Sequence, residues 1–289
     1  MSVLATLGFD LVGSLAAAAP LADAGTHIIE HVTDHSIGVL PGFSKAVFLM
    51  MIAFVLVVLG VWRASRGYDE NGVPRTRWAQ LVDPFVEHFY RDVAVRFSGE
   101  EWAPKVAPLL LNFFFFILTL NLLGLVPISD TLGLSSKLLG QQTPEVVYGQ
   151  ATATGNYSVT SGLAVITFVA IFAFGVARNG VMGHLATFAP HGHPFLVRWF
   201  LLLPIEILSA LVKPFALTMR LAANMTAGHM GIIALLGLIF ILKNAFVGIP
   251  VVLLALGLML LEIIVSFVQA YVFALLSGVF IGMALHPHH

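Results

Sequence analysis

Five long runs of apolar residues constrain this chain more than any other feature of its sequence. They predict membrane spans at residues 46–62, 106–127, 162–177, 199–242 and 251–285, because a transmembrane helix needs about 20 mostly apolar residues. Composition agrees: 58% of the residues are hydrophobic and only 10% are charged, whereas soluble domains carry about 25% charged residues. The sequence therefore predicts an all-α integral membrane protein, with residues 46–289 forming a single membrane domain.

The last two runs are longer than a perpendicular span requires. They contain 44 and 35 residues, so helices of this length must tilt strongly or bend. Pro204 and Pro214 allow bends in the fourth run, and the segment Lys243–Pro250 has the composition of a turn. We therefore predict that these two helices form a long, strongly tilted hairpin.

Basic residues are distributed unevenly among the loops. Seven of them lie between the first two spans, from Arg63 to Lys105, whereas only Lys137 lies between the second and third. Loops rich in Lys and Arg stay in the cytoplasm. Five crossings then place the N-terminus outside, with residues 1–45 as an external segment, and the C-terminus in the cytoplasm. A cleaved signal is an alternative for the apolar start, although the usual positive charges are missing.

A helix at the membrane surface is predicted within the basic segment, at residues 78–97. Its apolar residues recur every three or four positions, with charged residues between them. These apolar positions are Trp78, Leu81, Val82, Phe85, Phe89, Val93 and Phe97. A helix docked on another subunit would have the same pattern, and both interpretations stay open.

Arg220 lies in an apolar stretch, where a guanidinium keeps its charge. At a bilayer centre it costs roughly 2.5–3.5 kcal/mol, so such a group normally lies on an ion pathway or has a charged partner. Helical periodicity gives it polar neighbours on one stripe of the fourth span, and places a second polar face on the fifth. The stripe comprises Glu206, Ser209, Lys213, Arg220 and Asn224, and the second face comprises Glu262, Ser266 and Gln269.

His229 points away from this stripe, since it follows Arg220 by nine positions. Two polar tracks result. One runs from Arg220 towards Glu206 at the predicted cytoplasmic end, and the other joins His229 to Glu262 near the external turn. Titratable groups with intervening water can relay protons, and Arg220 between the tracks would block a direct leak.

Three segments resemble subunit a of the F-type rotary ATP synthase. Leu217–His229 resembles the family's arginine motif, Glu262–Phe273 its last helix, and Asn121–Pro127 the end of its second span. The resemblance extends over roughly Pro84 to Ala284. It implies a non-catalytic stator subunit that works without a cofactor, beside a rotor ring of c subunits and peripheral-stalk b subunits, in a bacterial inner membrane. An organelle-encoded chain is the alternative.

The same resemblance implies roles for individual residues. Arg220 matches the arginine that faces the rotor carboxylates, and Asn224 and Gln269 match polar residues beside it. Glu206 and Lys213 match positions on the cytoplasmic half-channel. His229 and Glu262 match the external pair, in the order His then Glu where some members have the reverse. Whether the ion is H⁺ or Na⁺ stays open.

Other readings of the sequence are weaker. His27, His31 and His35 have a spacing that could bind a metal, but such short patterns arise by chance and we expect no metal centre. The basic residues form no cluster with aromatics that would bind nucleic acid. A secondary ion-coupled transporter would predict internal repeats, and none is evident. An intramembrane hydrolase would need a metal trio or a Ser–His pair.

Overall fold

The fold is a bundle of long helices, seen in a computed structural model that describes residues 45–126, 153–187, 200, 203–242 and 245–286. In chain order the helices are α1 Lys45–Ser65, α2 Arg77–His88, α3 Ala103–Leu125, α4 Tyr157–Thr187, α5 Leu203–Leu242 and α6 Ala245–Leu285. A π-helical segment, Phe89–Val95, and a short helix, Arg96–Ser98, continue α2 towards α3. The predicted all-α class is confirmed.

Four helical segments within the described residues are long and apolar enough to cross a membrane. They are Ala46–Ser65, Ala103–Leu125, Tyr157–Gly183 and Gly248–Leu285. The remaining predicted span corresponds to α5, which has 40 residues but is not among the four. The side chains of Glu206 and of most residues from 233 to 242 lie outside the described set, so these four segments do not represent the whole of α5. The chain is thus an all-α, multi-pass membrane protein.

Helix α4 extends beyond its predicted bounds at both ends. Helix α4 starts at Tyr157, earlier than expected, and the side chain of Asn156 accepts the Ser158 N–H at 2.8 Å. A side-chain acceptor of this kind allows a helix to begin in a polar stretch. Helix α4 also continues past its predicted end, through a bend at Gly180, whose φ is +70°.

Helix α6 begins within the segment Lys243–Pro250 that was predicted to be a turn. Helix α6 begins at Ala245 and includes Pro250. Proline interrupts few backbone hydrogen bonds near the start of a helix, and glycine and proline are common in membrane helices. The composition that predicted a long turn therefore belongs largely to the first turns of α6.

Helices α3 and α6 form the centre of the core, with α4, α5 and the segment after α2 packed around them. Two glycines let α6 approach closely. A Cβ atom on Gly278 would lie 2.8 Å from Val93 Cγ1, and one on Gly282 would lie 2.5 Å from the Phe97 carbonyl oxygen. The helix predicted at residues 78–97 is therefore buried against α6 at its far end. Its position on a membrane surface stays a prediction.

His88 also joins α2 to α6. Its Nδ1 lies 2.7 Å from Asp92 Oδ2, and its Nε2 lies 3.0 Å from the Tyr271 hydroxyl. A phenol both donates and accepts hydrogen bonds. The contact with Tyr271 can therefore form whether His88 Nε2 carries a proton or not.

A compact turn built around Asp69 connects α1 to α2. The Asp69 carboxylate accepts hydrogen bonds from the backbone N–H groups of Val73 (2.9 Å) and Asn71 (3.0 Å) and from Arg75 Nε (3.1 Å). The bond from Val73 contributes most to holding the pKa of Asp69 below its ordinary value. Gly72, with φ of +75°, supplies the left-handed residue that the turn needs.

Tyr68 ties the same turn to α2. Its hydroxyl donates a hydrogen bond of 2.9 Å to Asp83 Oδ1. Burial, followed by the hydrogen bond and the negative charge of Asp83, raises the pKa of Tyr68 to about 12. The connection between the first two helices is thus well defined by side-chain contacts.

Candidate functional site

His229 and Glu262, which were predicted to form a pair, are brought together by the packing of α5 on α6. His229 Nδ1 lies 3.9 Å from Glu262 Oε1. Glu262 is only 6% exposed, while the His229 side chain is one-quarter exposed. Glycine at position 228 leaves the space that the carboxyl group occupies, since a Cβ there would lie 2.8 Å from Glu262 Oε1.

A second polar contact crosses the same helix pair nearer to Arg220. Asn224 Nδ2 donates a long hydrogen bond of 3.5 Å to Gln269 Oε1, and Gln269 is 5% exposed. Ser266, which sequence periodicity places on the same face of α6 as Glu262 and Gln269, is fully buried. The three polar residues predicted to share a face of α6 are therefore all on its inner side.

Helix α3 contributes a polar residue that sequence analysis did not assign to the site. Asn121 is buried, and its Nδ2 donates a hydrogen bond of 3.2 Å to the backbone oxygen of Ser266. The sequence signal that could have indicated Asn121 was its place in the Asn121–Pro127 segment, which resembles the end of the second span in the family named above. The residue it contacts could not be deduced, because the two lie 145 positions apart.

Several polar atoms along this inner surface have no hydrogen-bond partner within the described part of the chain. Buried polar groups are nearly always hydrogen-bonded, to protein atoms or to water. A surface with this many free donors and acceptors is chemically suited to hydrated ions or protons. The atoms are Asn121 Oδ1, Thr226 Oγ1, His229 Nδ1, Glu262 Oε1, Glu262 Oε2, Ser266 Oγ and Gln269 Nε2.

Arg220 lies on the outer side of α5, unlike the buried residues Glu262, Ser266 and Gln269. It is exposed, as are Lys213 and Asn224 on the same predicted stripe, and Ser209 is partly exposed. Among the described residues, no carboxylate lies within 4.0 Å of the Arg220 guanidinium. Exposed apolar residues of the same helix, among them Phe215 and Met219, also lie near it in the sequence. The arginine is therefore accessible to a partner from outside this chain.

The other predicted site residues lie partly beyond what the structure describes. The backbone of Glu206 is in the first turns of α5, but its side chain is outside the described set. Lys213 Nζ lies 5.8 Å from the centre of the Phe280 ring. His27, His31 and His35 fall outside the described residues. Within the described ranges, no group of three or more potential metal ligands is found.

The chain matches the family described as "ATP synthase A chain" over residues 47–282. It is 40% identical to ATP synthase subunit a of Chloroherpeton thalassium over 250 residues, covering 85% of this chain and 68% of that protein. The corresponding protein of Myxococcus xanthus is 38% identical over 248 residues, covering 85% and 74%.

A relative from an Anaeromyxobacter species is 39% identical over 247 residues, covering 85% of this chain but 55% of its own length. The matched region contains Arg220, the His229–Glu262 pair and Gln269. Because the family match extends over most of the sequence and includes nearly all of the five predicted spans, this chain is a member of the ATP synthase subunit a family.

Proposed function

We propose that this chain is the ion-translocating stator subunit of an F-type ATP synthase, in which Arg220 separates two half-channels that open on opposite sides of the membrane. The observation that carries the proposal is the environment of Arg220. An exposed guanidinium on an apolar surface needs a negatively charged partner, and the described part of this chain offers none within 4.0 Å. A carboxylate on a rotor ring of c subunits would supply that charge.

The spacing of polar groups along α5 supports two separate routes. His229 is nine residues from Arg220, or about 14 Å along the helix, and Glu206 is fourteen residues away in the other direction, or about 21 Å. Ions would enter between His229 and Glu262 and leave past Lys213, Ser209 and Glu206. Asn224 and Gln269 would orient water beside the arginine. A direct path between the two routes would have to pass the Arg220 charge.

The attraction between Arg220 and a rotor carboxylate is similar in size to the energy that ion flow supplies. An ionised rotor carboxylate at ~4 Å from Arg220 gains roughly 4 kcal/mol at an effective dielectric constant of about 20. One ion crossing 100 mV releases about 2.3 kcal/mol. The attraction offsets the free-energy cost of removing water from the carboxylate. It is weak enough that the carboxylate can leave Arg220 again. Entry of an ion from the external side neutralises the next carboxylate, which can then face lipid.

The proposal also specifies the partner subunits, the membrane and the orientation of the chain. Its partners would be the rotor ring and the peripheral-stalk b subunits, in a bacterial inner membrane, with the N-terminus outside and the C-terminus in the cytoplasm. The chain itself would carry out no bond-making chemistry. ATP synthesis would take place in a catalytic head formed by other subunits.

The decisive experiment uses Arg220→Ala in the assembled complex. We expect ATP-driven ion pumping in inverted vesicles to be abolished, while the ring still co-purifies with the chain. Arg220→Lys should also fail substantially, because an ammonium is a strongly hydrated point charge without the planar fork of arginine. The matched control is Arg91→Ala, which removes an exposed arginine that already pairs with Glu87 at 3.1 Å. Normal pumping by an assembled Arg220→Ala complex would refute the proposal.

Two further measurements separate the alternatives. Pumping assayed with and without Na⁺ identifies the ion. A secondary transporter would instead move ions when the chain is reconstituted alone, and such activity would contradict the stator function.

A further inference from the structure

The junction between α1 and α2 brings together residues that the proposed ion pathway does not use. The chain folds back on itself here, since the Trp78 Nε1–H donates a hydrogen bond of 2.9 Å to the backbone oxygen of Gly60. The backbone N–H of Arg75 also donates to the Gly67 oxygen at 2.8 Å. The start of α2 is therefore fixed against the end of α1.

Three arginines at this junction have no carboxylate partner. Arg63, Arg66 and Arg77 are exposed, and within the described part of the chain none of them forms a salt bridge. Nearby arginines differ: Arg75 pairs with Asp69 and Arg91 pairs with Glu87, each at 3.1 Å. Three unpaired guanidinium groups thus lie where the two helices meet.

Tryptophan side chains lie among these charges. The guanidinium of Arg66 is stacked 4.0 Å from the centre of the Trp62 ring. Trp62 and Trp78 are 52% and 43% exposed, although both have large apolar surfaces. We call Trp62, Arg63, Arg66, Arg77 and Trp78 the basic–aromatic surface.

The basic–aromatic surface lies at one end of a helix that is apolar enough to cross a membrane. Helix α1 is one of the segments apolar enough to cross a membrane and ends at Ser65, so the surface lies at the polar end of a span. Exposed apolar residues continue on both sides, with Leu59 on α1 and Leu81 on α2. Tryptophan is enriched where hydrocarbon meets headgroups, and arginine beside it extends to the charged layer.

We propose that the basic–aromatic surface binds the phosphodiester headgroup of an anionic phospholipid. A guanidinium presents donors in a planar fork that matches two phosphate oxygens. Stacking on Trp62 holds the Arg66 fork in place before the lipid arrives, and the Trp78–Gly60 hydrogen bond does the same for the start of α2. A lipid fits better than an acidic protein segment because the exposed leucines and tryptophans are continuous with the apolar surface of α1.

Photolabelling of the intact complex tests this proposal. The purified complex is reconstituted in phosphatidylcholine vesicles that contain a trace of photoactivatable phosphatidylglycerol, or of photoactivatable phosphatidylcholine. Labelled peptides are mapped by mass spectrometry. We expect phosphatidylglycerol to label residues 60–66 and 77–81 about tenfold more than phosphatidylcholine does.

Paired variants identify the arginines responsible. Arg63→Gln combined with Arg66→Gln should reduce the phosphatidylglycerol label about tenfold or more, since each arginine at an anionic surface contributes about fivefold. The control, Arg91→Gln combined with Arg96→Gln, removes the same charge from exposed positions farther along the segment and should leave the label unchanged. Arg66→Lys should retain only part of it, because the stacked fork is lost.

Three results would overturn the proposal. Equal labelling by the two lipids would show that the headgroup charge is not recognised. An equal loss in both double variants would show that net charge, and not this surface, attracts the lipid. Absence of lipid label at residues 60–81, together with cross-links there to an acidic segment of another subunit, would assign the surface to a protein partner.

Discussion

Gly228 on α5 faces the carboxyl group of Glu262 on α6 so closely that a Cβ at position 228 would collide with it. A Cβ at position 228 would lie 2.8 Å from Glu262 Oε1, 3.0 Å from its Cδ and 3.4 Å from its Cγ. Only the end of a flexible side chain would have to move. A substitution at Gly228 should therefore displace the carboxyl group without disturbing the helix packing.

The first prediction concerns this contact. Gly228→Ala should lower the rate of ATP-driven pumping roughly tenfold, since misplacing a reacting group by 1 Å can cost about 100-fold. Assembly should be retained, because alanine favours a helix over glycine by about 1 kcal/mol. Pumping in inverted vesicles and co-purification of the complex measure the two effects.

Gly231→Ala provides the matched control three residues farther along α5. A Cβ there would have Leu258 Cδ1 at 3.9 Å as its nearest neighbour, which is an ordinary contact. We expect normal pumping. Equal loss in both variants would mean that glycine itself, and not the space for Glu262, is what the helix requires.

The second prediction concerns the pair that Gly228 accommodates. His229→Glu and Glu262→His should each impair pumping, whereas the double exchange should restore much of it. The side chains are 3.9 Å apart, and residues in contact generally show non-additive effects. A double variant no better than the worse single variant would argue against direct cooperation between His229 and Glu262.

The third prediction concerns Glu206 at the opposite end of α5. The chain has no cysteine, so Glu206→Cys introduces a unique thiol. We expect a membrane-impermeant maleimide to label it from the cytoplasmic side, and Glu206→Gln to slow pumping partially, more so at high pH where protons are scarce. Labelling from the external side alone would contradict both the topology and the proposed exit route.

The fourth prediction concerns the packing of α6. Gly282→Ala should destabilise the chain by about 1–3 kcal/mol, because the new Cβ would lie 2.5 Å from the backbone oxygen of Phe97. A backbone atom cannot give way as a side chain can. Gly257→Ala on the same helix, where nothing lies within 4 Å, should be neutral or stabilising. Unfolding of the full chain by SDS, followed by circular dichroism, measures the difference.

The fifth prediction concerns the turn around Asp69. The native pKa of Asp69 is lowered, so its contribution to stability is present above the unfolded pKa of about 3.9 and is lost as the pH falls through the native value. Hydrogen exchange at residues 66–77, corrected for intrinsic rates, should show protection at pH 5 that declines below about pH 4. Asp69→Asn should reduce the protection at pH 5 and remove its pH dependence.

Glu70→Gln is the control for this prediction, since it changes the adjacent exposed acid. The pH dependence should be retained. If Glu70→Gln removed it as completely as Asp69→Asn does, the hydrogen bonds from Val73 and Asn71 would not be its cause.

Local sequence patterns predicted the long helices because apolar runs and helical periodicity depend only on neighbouring residues. Helices α1, α3 and α5 lie close to the predicted spans. The predictions were less accurate where a few side chains decide the boundary. Asn156 allows α4 to begin early, and Pro250 is accommodated within α6 instead of ending a turn.

The candidate site divides in the same way. Periodicity placed Glu262, Ser266 and Gln269 on one face of α6, and the burial of all three agrees. Periodicity gave no indication that Asn121 on α3 belongs to the same polar surface. An asparagine in an apolar helix does not reveal from sequence which residue it contacts. Nor did periodicity indicate that Gly228 is the residue facing Glu262.

The sequence by itself determined that this chain is an all-α membrane protein with polar residues at particular heights along two long helices. Those properties follow from hydropathy and from a rise of 1.5 Å per residue. Only the tertiary structure decided which faces meet, as when His88 contacts Tyr271, which is 183 positions away. Such contacts depend on the shapes of both helix surfaces. The sequence of one helix alone therefore does not predict them.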